Sequence, residues 1–588
     1  MSDKRKVIAV CLTRAYEDIR ARFIASLCRH AAKRGWKLMI YNSFLDLNNK
    51  DIYNEGARSI FDAINYDLID GLIIDGSPFY DNELLRQLTD ACRSRRLPVI
   101  ATDGVVSGCA SVIPDYHEAF KQLMTHVIVD HGAKDTFFIA GIKEEEHSLF
   151  RISCYQEVLS ELGLPEDPDN IAYGDYWEGP AAAIVEKLIA TREKLPDAIF
   201  CANDTMAQGV INTLKAHGFR VPEDVIVTGF DGLASSRVYQ PHLSTCESDP
   251  DIQASECLRL IDENVADGIV KLPNFPRFAA SCGCKEMPLP ESEIVRTYQD
   301  IEYAYRHETV LYKYAQDAME SQNLDELLDR LSLTISDDSV LCLNAHFNYT
   351  TEGGEVALTR ALDHELICVP AANLKPQFNR TRIYLPDVVP GLQDWLADEK
   401  ETACILTAVF SRNIVCGYYV AALRNVQRDI QAVRRVANIL NFICSNMINQ
   451  MQQKNMLFNL ENSLYLDSMT GVPNLKGATR WYEEKSRDPK IAGKAFAVSV
   501  YAVVRYNYIL DNYGLNDIEW VIRQVAGTLR KVSPPEALIA RVADDQLVVV
   551  NLADSGVEVG DCVSKTTAAF FPLIENINAN SNKVYNIE

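Results

Sequence analysis

The chain has 588 residues, of which 47% are hydrophobic and 24% charged, with a net charge of −23 and a scatter of 16 cysteines. That length exceeds what one hydrophobic core organises and predicts three or four domains. The acidic balance argues against a broad phosphate-binding face, since nucleic-acid affinity rests on clustered Lys and Arg, and no basic run occurs.

The apolar stretch after "SDKRK" is too short for a secretory core, and no 18-residue apolar segment follows anywhere, so a cytoplasmic protein is expected. The cysteines sit in apolar segments such as "IFCAND" and "NFICSNM", which suits buried reduced thiols. Cys282 and Cys284 in "SCGC" form the one tight pair. Without a second pair nearby they read as structural, and neither a metal nor a cofactor is expected.

From residue 6 to about 285, short β-branched runs alternate with amphipathic helical stretches: "KVIAVCL", "KLMIYNS", "DGLIIDG", "LPVIATDG", "DTFFIAG", "DAIFCAND" and "VIVTGFDG". Strands separated by single helices imply parallel sheets with right-handed crossovers. There are enough strands for two, one ending near 113 and one beginning near 135, with the chain returning after about 245. Polar residues collect at the carboxyl ends of these strands, where open parallel sheets place ligands: Thr13, Ser77, Asp103, Asn203, Asp204 and Asp231. Each alone reads as a helix cap; together, facing one cleft, they read as a binding site.

The stretch "FCANDTMAQGVINTLKAHGFRVPEDVIVTGFDG" resembles the effector-binding core of the lactose-repressor family, related to periplasmic sugar-binding proteins, over roughly residues 5–285. The resemblance implies that Asp103, Arg151, Asn203 and Asp231 hydrogen-bond the hydroxyls of a sugar or similar effector. Tyr176 or Trp177 would give an apolar platform for a ring face. "GFDG" in place of the commoner "GFDD", and a first loop "TRAYEDI" without the family's small polar residues, leave the ligand open. Repressors of the family carry an N-terminal helix-turn-helix, whereas the first strand here begins at residue 6. Residues 1–287 are therefore expected as a two-lobed, type I periplasmic-binding-protein-like domain that does not read DNA through its N-terminus.

Three- and four-residue apolar spacing predicts an exposed connecting helix over 288–322. Residues 323–426 carry four strand-like runs, closing with a hairpin around "SRN", and resemble a GAF-type sensory domain; His346 and His364 are isolated and read as structural. Over 427–466, Val433, Val436, Leu440, Ile443, Met447, Leu457 and Leu464 keep near-heptad spacing. That predicts a parallel two-stranded coiled coil, and so a homodimer, in preference to a helix packed on its own domain.

"LYLDSMTGVPNLKGATRWYEE" resembles the entry to GGDEF domains, which are diguanylate cyclases, and "ARVADDQLVVV" falls at the family's signature hairpin. The likeness runs over 467–588, with the last strands of a complete domain expected beyond this chain. In the hairpin Ala543, Asp544, Asp545, Gln546 and Leu547 occupy the family's five positions. Asp544 puts negative charge where glycine lets backbone approach the nucleotide. Asp545 keeps the metal-binding carboxylate, but its partner position is Ala502, and no acidic residue occurs between 489 and 510. The phosphate-contacting Lys is replaced by Asn507, the guanine-contacting Asn by Leu510 and the guanine-contacting Asp by Glu519, while "PPEA" at 534–537 stands where the product site should be. One carboxylate cannot hold two Mg²⁺ ions, which need near-octahedral oxygen ligation.

These readings combine into an α/β multidomain, non-enzymatic sensor: a small polar effector, a dimeric helix, a degenerate GGDEF domain, no membrane and no nucleic acid. Two others stay open, a ligand-gated diguanylate cyclase with a variant site and a transcription regulator whose DNA-binding domain lies beyond residue 588.

Overall fold

The computed structural model describes the chain apart from residues 1–4, 48–50, 77–81, 286–301, 303–305, 307, 322–323, 336–337, 346–358, 371–381, 390, 399, 489–490, 492 and 555, and the side chains of 82, 324, 458, 461, 462, 556 and 557. It forms two compact units, one of residues 1–350 with 356–449, the other built from residues 450–588.

The first unit opens with β1 (Val7–Thr13), β2 (Lys37–Ser43), β3 (Gly71–Asp75), β4 (Val99–Thr102) and β5 (Ala110–Asp115). They form a parallel sheet in the order β5-β4-β3-β1-β2. All seven residues of β1 are buried, as expected for a strand covered on both faces, which needs an unbroken apolar run instead of alternation. The helix Asp18–Arg34 ends at Gly35, whose φ of 68° lets its N–H reach back to the carbonyl of Ala32, a left-handed cap that favours glycine.

A second parallel sheet follows, β6 (Thr136–Ala140), β7 (Ile171–Tyr173), β8 (Ala198–Cys201) and β9 (Ile226–Thr228), in the order β7-β6-β8-β9. Its core is aromatic, with Phe120, Phe138, Tyr155 and Phe200 in one cluster. The chain then returns through β10 (Thr245–Ser248) and β11 (Gly268–Arg277), where β11 pairs parallel with β5 and antiparallel with β10. The two lobes and the return point stand where the strand spacing predicts them. No helix among the described residues is long and apolar enough to cross a membrane, and all 16 cysteines are free thiols, most of them buried.

The strands expected within 323–426 form as β12 (Ser339–Asn344), β13 (Glu365–Pro370), β14 (Arg382–Tyr384), β15 (Ala403–Ser411) and β16 (Ile414–Ala422). Among the described residues, Cys342, Leu366, Leu406 and Tyr418 of these strands pack into the cluster of the first lobe. β15 pairs parallel with β2, with Leu38 against Ala403 and Ile40 against Ile405, so one twelve-stranded sheet runs from β10 to β14. Tyr41 of the first lobe and Tyr418 of β16 sit in the same buried cluster. The physical reason is the outer edge of β2, whose unpaired backbone groups β15 satisfies.

A single helix, Val426–Tyr465, spans 40 residues. The apolar seam expected to pair two chains divides along it: Val433, Val436, Leu440, Ile443 and Met447 are buried within the chain, whereas Leu457 and Leu464 are more than half exposed. For its first half the packed helix replaces the expected dimer seam, because periodicity reveals an apolar face without saying what covers it.

The second unit is an antiparallel sheet of β17 (Ala495–Ala502), β18 (Leu538–Ala543) and β19 (Gln546–Ala553), in the order β17-β19-β18. The helix Leu515–Val532 buries Ile518, Val521, Ile522, Val525 and Leu529 against it.

Candidate functional site

In the first lobe, Thr13 ends β1 fully buried, and its hydroxyl has no hydrogen-bond partner. Asp103 follows β4 at a left-handed φ of 57°, and its Oδ1 accepts from Nε2 of Gln253 at 3.2 Å. Beside it Asp75 accepts from Nε of Arg20 at 2.8 Å. Burial, then the neighbouring Asp75, push the Asp103 carboxyl up to about 7; it keeps some exposure to the cleft, and solvent moderates the effect. Ser77 lies outside the described residues.

In the second lobe, Arg151 stands in the second turn of the helix Glu146–Glu161, not at its start as expected. Its Nη1 donates to the carbonyl of Ala202 at 2.5 Å, and Nη2 lies 3.8 Å from Asp231 Oδ1. The guanidinium sits 4.2 Å from the ring centre of Phe230, with Tyr116 at 5.6 Å and Tyr176 at 5.7 Å. Its Nε is buried with no partner. Three aromatic rings around the guanidinium add cation–π attraction where water is excluded.

Asn203 caps the helix Asp204–Ala216, accepting from the N–H of Met206 at 2.9 Å, and donates to the carbonyl of Tyr176 at 3.1 Å. The helix-cap reading therefore holds for this residue. Asp204, fully buried, accepts from Thr245 Oγ1 at 2.6 Å and from the N–H of Leu233 at 2.8 Å. Burial first, and the facing Asp231 second, push its carboxyl up to about 8. Asp231 holds a φ of 110°; burial pushes it up to about 6 against the opposing charge of Arg151. Of the two candidate platforms, Tyr176 joins Arg151 and bonds Glu145 Oε2 at 2.9 Å, while Trp177 is 69% exposed.

The sequence did not single out Glu145, Tyr116, Phe230, Arg20 or Asp75. "GFD" does mark Phe230 and "LIIDG" marks Asp75, but only the packing shows that they face the charged groups. The lobes meet at one edge, where Arg22 donates to the carbonyl of Gly232 at 3.1 Å and Asp18 accepts from the N–H of Ala234 at 3.0 Å. The loop after β1 also touches the long helix: Gln431 Nε2 donates to the carbonyl of Tyr16, whose ring lies under Arg434.

In the second unit, Ala502 pairs with Gln546 across β17 and β19, and the N–H of Val503 donates to the carbonyl of Asp545 at 2.9 Å. Ala502 and Asp545 are thus neighbours, with a methyl group where the resemblance calls for a second carboxylate. Ala543 and Asp544 are exposed at the tip, while Leu547 is buried in the core. Asn507 is exposed, Leu510 packs against the core, and Glu519 faces Arg523 at 3.8 Å. Arg541 bonds the carbonyl of Asp544 at 2.6 Å and Asp467 at 3.0 Å, tying the hairpin to the entry segment. Asn474 caps the helix Leu475–Ser486 and donates to the carbonyls of Leu464 and Leu466, which fixes that segment to the end of the long helix.

Among the described residues, one group of three or more His, Cys, Asp or Glu side chains converges closely enough to share an ion: His126, His131, Cys282 and Cys284. This corrects the expectation that the cysteine pair lacks a second pair. Two histidines supply it from a part of the sequence too distant for any spacing pattern to reveal.

Residues 125–274 match the periplasmic binding protein-like domain, and residues 464–576 match the diguanylate cyclase, GGDEF domain. The chain thus joins a sensor domain of the periplasmic-binding-protein-like, LacI/PurR type to a GGDEF domain. It is 26% identical over 263 residues to the HTH-type transcriptional repressor PurR of Pasteurella multocida, covering 44% of this chain and 75% of that one. The same-named protein of Aliivibrio salmonicida is 27% identical over 263 residues, 45% of this chain and 75% of that one. A regulatory protein of the LacI family from Chloroflexus aggregans is similar in structure, with a TM-score of 0.40 and 20% identity over 47% of this chain and 98% of that one.

Proposed function

We infer that this chain senses a small polar molecule, a sugar or a derivative, and passes the event to a GGDEF domain that no longer makes cyclic di-GMP. The observation that carries the reading is Arg151, a buried guanidinium boxed by Phe230, Tyr116 and Tyr176, with its Nε unbonded and Asp231 beside it. Hydroxyl groups give and take hydrogen bonds at once. Arg151 supplies charged donors, the stronger kind of bond, and the carboxyls of Asp103 and Asp231 supply acceptor oxygens. Thr13, whose buried hydroxyl is unbonded, adds a further donor and acceptor, and Tyr176 offers a ring face.

Closure of the lobes moves the loop after β1, and Tyr16 in that loop carries the movement to Gln431 and Arg434 of the long helix. Such coupling is limited by the effector's differential affinity for the two states, typically about 1–3 kcal/mol. The exposed Leu457 and Leu464 then pair two chains over the second half of the helix. At the far end, one hairpin carboxylate beside Ala502 is too little to hold the cations that phosphate transfer requires, and the domain works as a docking or pairing element.

Calorimetry of the purified chain against a panel of mono- and disaccharides tests the first link. Micromolar binding that Arg151→Ala and Asp103→Asn both weaken supports it; no heat with any sugar, wild type and variants alike, overturns it. A variant cyclase is the second reading, since Asp545 keeps its place at the tip. It predicts cyclic di-GMP from GTP with Mg²⁺ or Mn²⁺.

A further inference from the structure

His126 lies in the last turn of the helix His117–Val129, and His131 follows just beyond it. Cys282 ends a short turn after β11, two residues before Cys284. The four ligand atoms all lie within 4.8 Å of one another. His126 Nε2 is 3.1 Å from His131 Nε2 and 3.3 Å from Cys284 Sγ, and Cys284 Sγ is 3.5 Å from His131 Nε2.

We propose that His126, His131, Cys282 and Cys284 form a tetrahedral Zn²⁺ site that pins the end of the sensor domain to its second lobe. Zinc bonds of about 2.0–2.1 Å to nitrogen and about 2.3 Å to sulfur set tetrahedral edges of roughly 3.3 Å between nitrogens and roughly 3.5 Å between nitrogen and sulfur. The three separations among His126, His131 and Cys284 lie close to these edges, and Cys282 Sγ lies within 4.8 Å of the other three ligand atoms. Two thiolates and two imidazoles at tetrahedral spacing select zinc over hard cations.

The surroundings are arranged as a metal site's are. Asp130 accepts from Nδ1 of His126 at 2.6 Å, which leaves Nε2 as the inward lone pair, the carboxylate-histidine pairing that orients zinc ligands. The ring of Phe278 lies 4.0 Å from that of His126 and holds its plane. Between the cysteines, Gly283 has a φ of 98°, and a Cβ there would press on the His131 ring at 3.3 Å. Cys282 is fully buried, whereas Cys284 and His131 keep some exposure, which gives an ion a way in.

The histidines lie at the end of the helix by which the chain first enters the second lobe after β5, His126 in its last turn and His131 just past it. The cysteines lie where it re-enters that lobe after β11. An ion therefore ties two of the chain's crossings between lobes to each other, at the point where the chain leaves the sensor domain.

The test is metal analysis of the reduced full chain by mass spectrometry, with Co²⁺ titration as a spectroscopic probe. The proposal expects one zinc ion per chain, and a cobalt spectrum with intense tetrahedral bands and thiolate-to-cobalt charge transfer. Cys284→Ser weakens that transfer and lowers affinity, Asp130→Asn lowers affinity about 10- to 100-fold with the bands kept, and Cys562→Ser, a thiol of the second unit, changes neither. Circular dichroism confirms that each variant folds. The proposal is overturned if the reduced protein takes up no stoichiometric zinc or cobalt, or if Cys284→Ser binds as the wild type does. A Cys282–Cys284 disulfide persisting in protein purified with reductant also overturns it.

Discussion

The guanidinium of Arg434 lies 3.6 Å from the centre of the Tyr16 ring, while Gln431, one turn earlier on the same helix, donates to the carbonyl of Tyr16. Tyr16 sits two residues from Arg14 and next to Glu17, in the loop that leaves β1 at the mouth of the cleft. The helix that leads toward the GGDEF domain is therefore in direct contact with the wall of the sensor. A double-mutant cycle with Tyr16→Leu and Arg434→Gln, read by chemical denaturation, is expected to give a coupling energy of about 0.5–2 kcal/mol. Hydrogen exchange should report faster opening of residues 426–440 in either single variant.

The carboxyls of Asp231, Asp103 and Asp204 are pushed up to about 6, 7 and 8, above the roughly 3.9 of an unfolded Asp. The protonated forms are thus favoured by folding. Their contribution to stability is complete below the unfolded value and is lost as pH rises through 6, 7 and 8 in turn. Without ligand, the contribution of these three groups to Tm should fall from about pH 4 to pH 8 and level off above, and Asp204→Asn should flatten that fall. Thermal scans of both proteins across this range check it, and parallel curves would remove Asp204 from the account.

A Cβ on Gly56 would stand 2.2 Å from the carbonyl of Arg412 and 2.6 Å from the Phe410 ring, where the helix Ile52–Arg58 packs against β15 and its hairpin. Gly56→Val is expected to cost about 1–3 kcal/mol or more through overpacking. The faster hydrogen exchange should centre on β2 and β15, the seam that joins the first lobe to residues 323–426. Exchange confined to the helix itself would mean that the seam does not depend on this contact.

Wild-type protein incubated with GTP and Mg²⁺ or Mn²⁺ is expected to form no cyclic di-GMP. Because Ala502 adjoins Asp545, the pair Ala502→Asp and Asp544→Gly should raise Mg²⁺-dependent binding of a non-hydrolysable GTP analogue, measured by calorimetry, by at least about tenfold, or about 1.4 kcal/mol. Product from the wild type that disappears in Asp545→Ala would restore the cyclase reading.

Asp467 and Arg541 form an ion pair at 3.0 Å with little exposure on either side. Removing one partner leaves the other desolvated and uncompensated. Asp467→Ala should therefore destabilise the second unit by about 2 kcal/mol, visible as a lowered denaturation midpoint.

Much of this molecule is written locally. Strands such as "VIAVCLT", helix caps such as Asn203 and the hairpin at Asp544 and Asp545 follow from residue type and spacing, because strand burial, capping and tight turns are settled within a few residues. The same locality picked out Asp103 and Asp231 at strand ends, whereas Arg151 and Ala502 were singled out by the family resemblances. It did not extend to choices of partner. Nothing in "TACILTAVF" says that its edge belongs to β2, since backbone hydrogen bonding accepts any strand edge. The heptad spacing of Val433 to Met447 marks an apolar face, but only the fold showed that this chain itself covers it. The convergence of His126 and His131 on Cys282 and Cys284 was likewise decided by the crossings between lobes, which bring together ligands far apart in the sequence.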